Sequence, residues 1–387
     1  MLKLHIQNFK SIEDLELDLG RVNLFIGENG CGKTSILEAV GMAAAAATNA
    51  LGTGALRDRG IRVTEPQWMR SGFVADAGTK QIDIELSNGE YSFFALLEHD
   101  ESSYGAWQNR ALAELAHRAT SSIQSPPVQN LLAVVPEDLR KELLHRAPPH
   151  PSSEVRIYST FAYSYVAHTF NLLQFLTYAP REDVLRDLAR DSDVEPIGVH
   201  GEGLFKLLQV LDAEGQLAQV KEHLAALGWF DDLSVASGVN PSSRVLQIRD
   251  IYLDGERPFD QRSANEGFLF VLLYACLLIS RHTPRFFAVD NVDTALNPKL
   301  CARAVRMFAE LSKSHDRRVL LTAHNPGALD GLDLHDDEQR LFVVYRNTEG
   351  RTRARRILPV DLPTEGPPLR LSEAFLRGYL GALPTNF

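Results

Sequence analysis

A glycine-rich motif near the N-terminus constrains this chain more than any other feature. The motif fits the pattern G-x-x-x-x-G-K-[ST] and consists of Gly27, Glu28, Asn29, Gly30, Cys31, Gly32, Lys33 and Thr34. It lies between the apolar run 22–26, typical of a buried parallel strand, and an alanine-rich run from Ser35 that predicts a helix. In this context backbone N–H groups and a helix N-terminus converge on phosphates. The motif predicts a P-loop for ATP, with Lys33 at the β- and γ-phosphates and the Thr34 hydroxyl on Mg²⁺.

Two later apolar strands end in side chains suited to phosphate chemistry. The run 286–289 is apolar and ends in Asp290, the form of a Walker B strand, which makes Asp290 a candidate second ligand of Mg²⁺. The run 319–323 delivers His324 at its end. A single histidine after a strand is most often an ordinary polar residue. The order of P-loop, acidic strand and histidine strand favours a γ-phosphate contact for His324 instead.

These segments resemble the SMC/RecF/OLD group of ABC-type ATPase heads. The resemblance is carried by residues 8–12, with the sequence Asn-Phe-Lys-Ser-Ile, followed by the P-loop. Residues 290–298 look like the Walker B and D-loop of the group, and residues 323–326 look like its switch histidine. The segment Ser263–Gly267 stands where the group keeps a degenerate signature motif. The resemblance covers about residues 1–100 and 240–345.

The resemblance implies an α/β fold, a P-loop NTPase of the ABC-head type, with a mixed sheet flanked by helices and a helical insertion. It implies a head-to-tail dimer, or a higher oligomer, in which ATP lies between one subunit's P-loop and the other's signature segment. The nucleotide contacts would then be the eight P-loop residues, Ser35, and Asn265, Glu266 and Gly267 of the signature segment. The catalytic candidates are Asp290, Asn291, Asp293 and His324, and the cofactors are ATP and Mg²⁺.

The secondary-structure pattern divides the chain into three expected segments. Residues 1–100 form an N-terminal ATPase lobe with three strands, the P-loop helix and a hairpin at 81–97. Residues 101–240 form a helical insertion, with helical patterns at about 106–144 and 203–228. Residues 241–387 form a C-terminal lobe with a strongly apolar helix at about 266–281, a helix at 298–314, a hairpin at 340–358 and a terminal amphipathic helix.

The sequence departs from the family pattern at the residue after Asp290. The group usually has Glu there, which polarises the attacking water, whereas this chain has Asn291, and a neutral amide is a poor base. Asp293 is a candidate substitute; otherwise the enzyme hydrolyses ATP slowly and acts mainly by holding it, or positions water by other means. No segment matches the Q-loop of the group well, and the one candidate, Gln174, reads better as a residue at the edge of the core.

Composition and motifs favour an intracellular ATPase that acts with a partner. The net charge is −10, and the three scattered cysteines and the absence of a leader or membrane span predict a cytoplasmic protein. About 60 residues follow His324, too few for the Toprim nuclease domain of many OLD proteins. Similar heads belong to anti-phage systems of the Septu and PARIS kinds, which implies a separately encoded effector such as a nuclease. The alternatives are a RecF-like DNA-repair ATPase and, least favoured, a transporter subunit.

Two features near the C-terminus have two interpretations each. The arginines at 351, 353, 355 and 356 lie on a predicted outer strand, where charge protects a sheet edge. The alternative is a strip that contacts nucleic-acid phosphates. The terminal helix carries Phe375, Leu376, Tyr379 and Leu380 on one side, and either packs on its own head or docks a partner. The acidic run Asp333, Asp336, Asp337 and Glu338 reads as a solvated loop rather than a metal site.

Overall fold

A computed structural model describes residues 1–73, 81–100, 105–111, 163–187, 196–236, 245–253, 258–362 and 369–381. The strands are β1 (Leu2–Phe9), β2 (Ile12–Leu19), β3 (Val22–Ile26), β4 (Ile82–Ser87), β5 (Ser92–His99), β6 (Trp107–Asn109), β7 (Thr177–Tyr178), β8 (Phe230–Ala236), β9 (Val245–Asp250), β10 (Phe286–Val289), β11 (Arg318–Ala323), β12 (Gln339–Arg346) and β13 (Thr352–Ile357). The helices are α1 (Lys33–Ala47), α2 (Thr53–Asp58), α3 (Pro66–Met69), α4 (Glu182–Arg186), α5 (Leu204–Ala213), α6 (Leu217–Leu224), α7 (Glu266–Ile279), α8 (Pro298–Ser314) and α9 (Leu371–Leu376). Three short 3₁₀ turns lie at Ala225–Leu227, Pro326–Gly331 and Pro359–Asp361.

The chain divides into two compact units, and each unit is assembled from distant stretches of sequence. The first consists of Met1–Leu19, Ser35–Phe175 and Arg346–Arg353. The second consists of Gly20–Thr34, Leu176–Tyr345 and Ala354–Phe387. The strand before the P-loop and the P-loop itself therefore group with strands from the last third of the chain. The three-segment division of the sequence stays a prediction.

The first unit contains an antiparallel sheet with the strand order β2-β1-β4-β5-β6. The turn between β1 and β2 places Lys10 in the left-handed region, at a φ of 51°. The Lys10 ammonium lies 2.6 Å from the carboxylate of Glu38, a fully buried residue of α1, and Arg62 lies 3.1 Å from the other oxygen of that carboxylate. Two cations thus compensate one buried charge, which would be costly alone.

The second unit contains a six-stranded sheet with the order β13-β12-β3-β11-β10-β7. The pairs β12–β3, β3–β11, β11–β10 and β10–β7 are all parallel. Every residue of β3 and of β10 is buried, as expected for inner strands of a parallel sheet. Because these strands are parallel, their carboxyl ends meet along one edge of the sheet, where α/β proteins bind ligands.

The core of the second unit is organised around α7. Thirteen of its fourteen residues are buried, which is the pattern of a helix enclosed on all sides. The Asn265 side chain caps its start by accepting a hydrogen bond from Phe268 N–H at 2.8 Å. Beyond its end, the buried guanidinium of Arg317 donates to the carbonyl oxygens of Leu278, Ser280 and Thr283. Both ends of this apolar helix are therefore satisfied by side chains.

Most elements predicted from the sequence are confirmed. The P-loop helix, the apolar helix, the helix from Pro298, the 203–228 helical block and both hairpins occur within a few residues of their expected bounds. The expected helical start at 106 is wrong, since residues 107–109 form a strand at the edge of the antiparallel sheet. Residues 112–144 of that expected lobe lie outside the described residues. None of the described helices is long and apolar enough to cross a membrane.

The C-terminal helix packs on the second unit. Phe375 and Leu380 are buried in the core of that unit, and Ser372 donates a 2.7 Å hydrogen bond to Asp330. Leu376 and Tyr379 are 63% and 51% exposed, so the expected four-residue apolar side is divided between core and surface.

The arginines of the C-terminal strand are engaged by acidic or carbonyl partners. Arg351 and Arg353 pair with Glu13 in the first unit. In the second unit, Arg355 donates to the Leu380 carbonyl and Arg356 pairs with Asp337. The edge-protection interpretation of these charges is supported, because the strand is the outer member of its sheet. The described residues contain no group of three or more His, Cys, Asp or Glu side chains that could hold a metal ion.

Candidate functional site

The P-loop leaves β3 through a turn that only glycine can make. Gly27 has a φ of 156°, and a Cβ on this residue would lie 1.9 Å from the carbonyl oxygen of Val344 in β12. The chain then passes through the exposed residues Glu28, Asn29 and Gly30 and enters α1 at Lys33. The loop therefore projects beyond the carboxyl end of β3, with the first turn of a helix directly behind it.

Lys33 is folded back over its own loop. The side chain is buried, and its Nζ donates to the carbonyl oxygens of Gly27 at 2.8 Å and Glu28 at 2.9 Å. Burial lowers the pKa of the Lys33 ammonium from its ordinary value. Burial raises the pKa of the neighbouring Cys31 thiol, so this cysteine is a packing residue rather than a reactive thiolate. An arriving phosphate would offer the Lys33 ammonium a charged acceptor in place of two neutral carbonyls.

A network of hydroxyl hydrogen bonds ties the P-loop to the acidic strand. The Thr34 hydroxyl lies 3.0 Å and 3.1 Å from the two carboxylate oxygens of Asp290. The buried hydroxyl of Thr322, in β11, donates to Asp290 at 2.6 Å and accepts from Asn291 N–H at 2.7 Å. Three strands of the parallel sheet thus bring the predicted Walker A and Walker B residues into direct contact.

Asn291 occupies a constrained backbone position beside this network. Its φ is 54°, a left-handed conformation that asparagine tolerates better than most residues. Its carbonyl accepts hydrogen bonds from Thr294, from the N–H at 3.0 Å and from the hydroxyl at 2.9 Å. The backbone of Asn291 is therefore fixed directly after Asp290.

Asp293 supports the loop that carries His324. One carboxylate oxygen accepts the backbone N–H groups of His324 at 2.9 Å and of Asn325 at 2.5 Å. The other oxygen is buried and, among the described residues, has no hydrogen-bond partner. Both oxygens are thus withdrawn from the exposed face of the site, which fits Asp293 as a positioning residue better than as a base.

His324 lies at the exposed end of β11, as the sequence predicts. Burial lowers the pKa of its imidazole, the positive charge of Lys33 acts in the same direction, and Asp293 and Asp290 act against them. The imidazole is consequently neutral at pH 7, able to donate one hydrogen bond and accept another.

The signature-like segment forms the exposed start of α7. Ser263 and Asn265 are exposed, and Ser263 N–H donates to the Asp260 carboxylate at 3.2 Å. A Cβ on the buried Gly267 would lie 3.2 Å from the Ala295 carbonyl oxygen, so Gly267 packs closely against the D-loop. Glu266 is half-buried in the first helical turn. The hydrogen bonds described for this segment do not include one to the P-loop of the same chain.

The sheet order and the P-loop geometry decide the fold. The chain has a P-loop NTPase fold. Residues 3–125 match the family model described as an AAA domain, a span that includes the P-loop but not Asp290 or His324. The sequence matches none of the curated proteins.

Two solved structures illustrate the structural neighbours. The SMC head domain from Thermotoga maritima is similar at 15% identity and a TM-score of 0.45, over 92% of this chain and 98% of that chain. The Smc head domain with an extended coiled coil, bound to the C-terminal domain of ScpA derived from Pyrococcus furiosus, is similar at 12% identity and a TM-score of 0.48, over 92% and 97%. The mostly parallel sheet of the second unit and the helices of that unit confirm the α/β fold class predicted from the sequence.

The sequence did not single out Thr322 or the strand next to Asp290. Thr322 is the one hydroxyl in the apolar run 319–323, and this break in the pattern was the available signal. The two-residue strand β7 pairs with β10, and Asp290 N–H donates to the Tyr178 carbonyl at 2.8 Å. Gln174 precedes β7 and is exposed, so it lies on the amino side of that strand rather than on the edge with Asp290.

We expect the His324 imidazole to titrate below its ordinary pKa of about 6.5 in the free protein. Added ATP should raise the His324 pKa, because the phosphates place negative charge beside the ring. The measurement is an NMR titration of the ring protons, with His324→Gln to assign the signal. The exposed His282, which pairs with Glu214, serves as the internal control. An unchanged His324 pKa with nucleotide bound would contradict a γ-phosphate contact.

Proposed function

We propose that this chain binds ATP with Mg²⁺ at its P-loop and hydrolyses it slowly. The observation that carries the proposal is the contact of the Thr34 hydroxyl with both Asp290 carboxylate oxygens, at 3.0 and 3.1 Å. The two residues are 256 positions apart in the sequence, and their contact beside Lys33 is what a metal–phosphate site requires. A glycine-rich turn without function would not need an acidic strand end at this distance.

The donor set fits Mg²⁺. Thr34 and Asp290 offer oxygen ligands, and Mg²⁺ is commonly held by one or two protein carboxylates together with substrate phosphates and water. When held by Thr34 and Asp290, the ion would supply positive charge that offsets the negative charge developing on the phosphates during transfer. Thr322 would hold the Asp290 carboxylate in place by its 2.6 Å hydrogen bond.

The remaining site residues supply positioning and electrostatics. Lys33 would leave the loop carbonyls to contact the β- and γ-phosphates, and neutral His324 would hydrogen-bond the γ-phosphate. Asp293 keeps His324 in position through the two backbone N–H groups. Among the described residues of this set, no carboxylate is placed to take a proton from water, because Asn291 is an amide, one Asp293 oxygen accepts two backbone N–H groups and the other is buried. Slow turnover follows from this arrangement.

We further propose that nucleotide binding controls self-association and, through it, a separately encoded effector, with a nuclease in anti-phage defence as the leading candidate. The exposed start of α7, at Ser263 and Asn265, supports the first step, since it can meet the phosphates of a second subunit. The effector rests on the resemblance described from the sequence. The alternative of direct action on DNA gains no support from the arginines of β13, whose guanidinium groups already have acidic or carbonyl partners.

Lys33→Ala should weaken ATP binding by at least about 100-fold, because the variant loses charge-assisted hydrogen bonds to two phosphates. The measurement is titration of the full chain with a fluorescent ATP analogue, with circular dichroism to verify folding. Lys299→Ala, at an exposed position of α8, is the matched control. Wild-type affinity in the Lys33→Ala variant would show that the P-loop assignment is wrong.

Asn291→Glu should raise the rate of ATP hydrolysis. General-base assistance is typically worth ~10²–10⁴-fold, whereas placing glutamate in the left-handed backbone costs about 1–2 kcal/mol of stability. The rate is measured as phosphate release under saturating ATP. A rate equal to or below that of the wild type would contradict the interpretation of Asn291 as a missing base.

Asp293→Ala in the native background tests the competing base. A base role predicts loss of the residual hydrolysis with ATP affinity unchanged. The positioning role predicts a weaker ATP affinity as well, because the His324 loop loses its two hydrogen bonds. Asp293→Asn should restore much of that affinity, since an amide oxygen can accept the same N–H groups.

A non-hydrolysable ATP analogue should increase the particle mass, because each nucleotide would bind the associated state selectively. Mass photometry of the full chain measures the change. Ser263→Arg should block the increase while the subunit still binds nucleotide. Ser314→Arg is the control. Ser314 is exposed at the C-terminal end of α8, and the next strand, β11, begins shortly after it. A particle mass that changes neither on addition of the nucleotide analogue nor with Ser263→Arg would refute nucleotide-bridged association.

A further inference from the structure

We propose that Arg181, which follows the carboxyl end of β7, contacts the terminal phosphate of ATP bound at the P-loop. This inference rests on the proposed function and adds a residue that the P-loop, the acidic strand and the histidine strand do not include. Arg181 would let the protein distinguish ATP from ADP, because ADP lacks the group that the guanidinium contacts.

The position of β7 in the sheet is the first argument. β7 pairs in parallel with β10, with Tyr178 opposite Val289, and Asp290 N–H donates to the Tyr178 carbonyl at 2.8 Å. Neighbouring strands lie about 4.8 Å apart, so the chain after Tyr178 emerges beside the Asp290 carboxylate. Arg181 comes three residues after Tyr178, on the edge of the sheet where parallel strands present their ligand-binding residues.

The backbone around Arg181 is held firmly. Ala179 N–H donates to the Val199 carbonyl at 2.8 Å, and Arg181 N–H donates to the His200 carbonyl at 3.1 Å. The His200 ring Nδ1 lies 2.9 Å from the Ala179 carbonyl oxygen. Between them, Pro180 has a fixed φ. Such anchoring is what a side chain needs if it is to meet a ligand in one orientation.

The side chain of Arg181, by contrast, is available. It is 57% exposed and forms a two-pronged ion pair with Asp183, with N–O distances of 3.0 and 2.9 Å. An exposed pair of this kind contributes little to stability, and the same planar fork of donors fits a phosphate. Arg186 shows the opposite behaviour, since its guanidinium donates to the carbonyls of Gln261 and Arg262 and joins two segments of the fold.

The charges at the site also favour a second cation near the terminal phosphate. Lys33 is the cation expected at the β- and γ-phosphates, and His324 is neutral at pH 7 because its pKa is lowered. A γ-phosphate that carries most of the negative charge would therefore lack a second cation in the set of residues derived from the motifs. An arginine on the strand next to Asp290 supplies that cation from the side opposite to β11.

The test compares nucleotide affinities by calorimetry on the full chain. Arg181→Ala should weaken binding of a non-hydrolysable ATP analogue on the order of 10- to 100-fold and leave ADP affinity unchanged. Arg181→Lys should retain part of the preference for the ATP analogue, because it keeps the charge. Arg249→Ala is the matched control, since Arg249 is also exposed and paired with aspartates, on β9.

The outcomes separate this inference from the proposed function. Equal losses for ADP and the ATP analogue in Arg181→Ala, or no loss at all, would overturn the phosphate contact. Asp183→Asn frees the guanidinium and should maintain or increase the preference for the ATP analogue; a loss as large as that of Arg181→Ala would also overturn it. Failure of the wild-type chain to bind either nucleotide would instead refute the proposed function.

Discussion

The carboxylate of Asp290 is the group on which the arrangement of the site depends. It accepts hydrogen bonds from Thr34 at the start of α1 and from Thr322 in β11, and its own backbone N–H bonds to β7. This one residue at the end of β10 thus connects three other parts of the second unit: the start of α1, β11 and β7. A charged group so placed would be expensive if its partners were removed, so the site and the stability of its surroundings are linked.

The proposed slowness of the enzyme has a structural origin in the loop after that strand. Asn291 and Ala295 both adopt left-handed conformations, at φ values of 54° and 60°. The tight course of this loop brings the Asp293 carboxylate against the backbone of the histidine loop. Asparagine suits such a backbone better than glutamate does. In the proposed function, the residue that lacks a basic carboxylate is thus also the one that fits this backbone at the lower conformational cost.

The sequence predicted the elements well and their long-range pairing poorly. The P-loop, the acidic strand and the histidine strand could be read because each combines an apolar run with a particular residue at its end. The sequence did not predict that β3 lies in a different sheet from β1 and β2. Its pairing with β11 is determined by packing between segments that are far apart in the chain. Thr322 and the proposed role of Arg181 were missed for a related reason: both depend on neighbouring strands, and β7 is only two residues long.

The pairing of β3 has a consequence for the folding of the chain during its synthesis on the ribosome. Val22 lies opposite Val319. The strand that precedes the P-loop therefore has no partner β11 until about 300 more residues have been synthesised. At a synthesis rate of about 5–20 residues per second, that wait lasts roughly 15–60 s. The hairpin of β1 and β2 has its partner at once. During translation the apolar strand Val-Asn-Leu-Phe-Ile is therefore an unpaired edge, open to chaperones and to mispairing with neighbouring nascent chains.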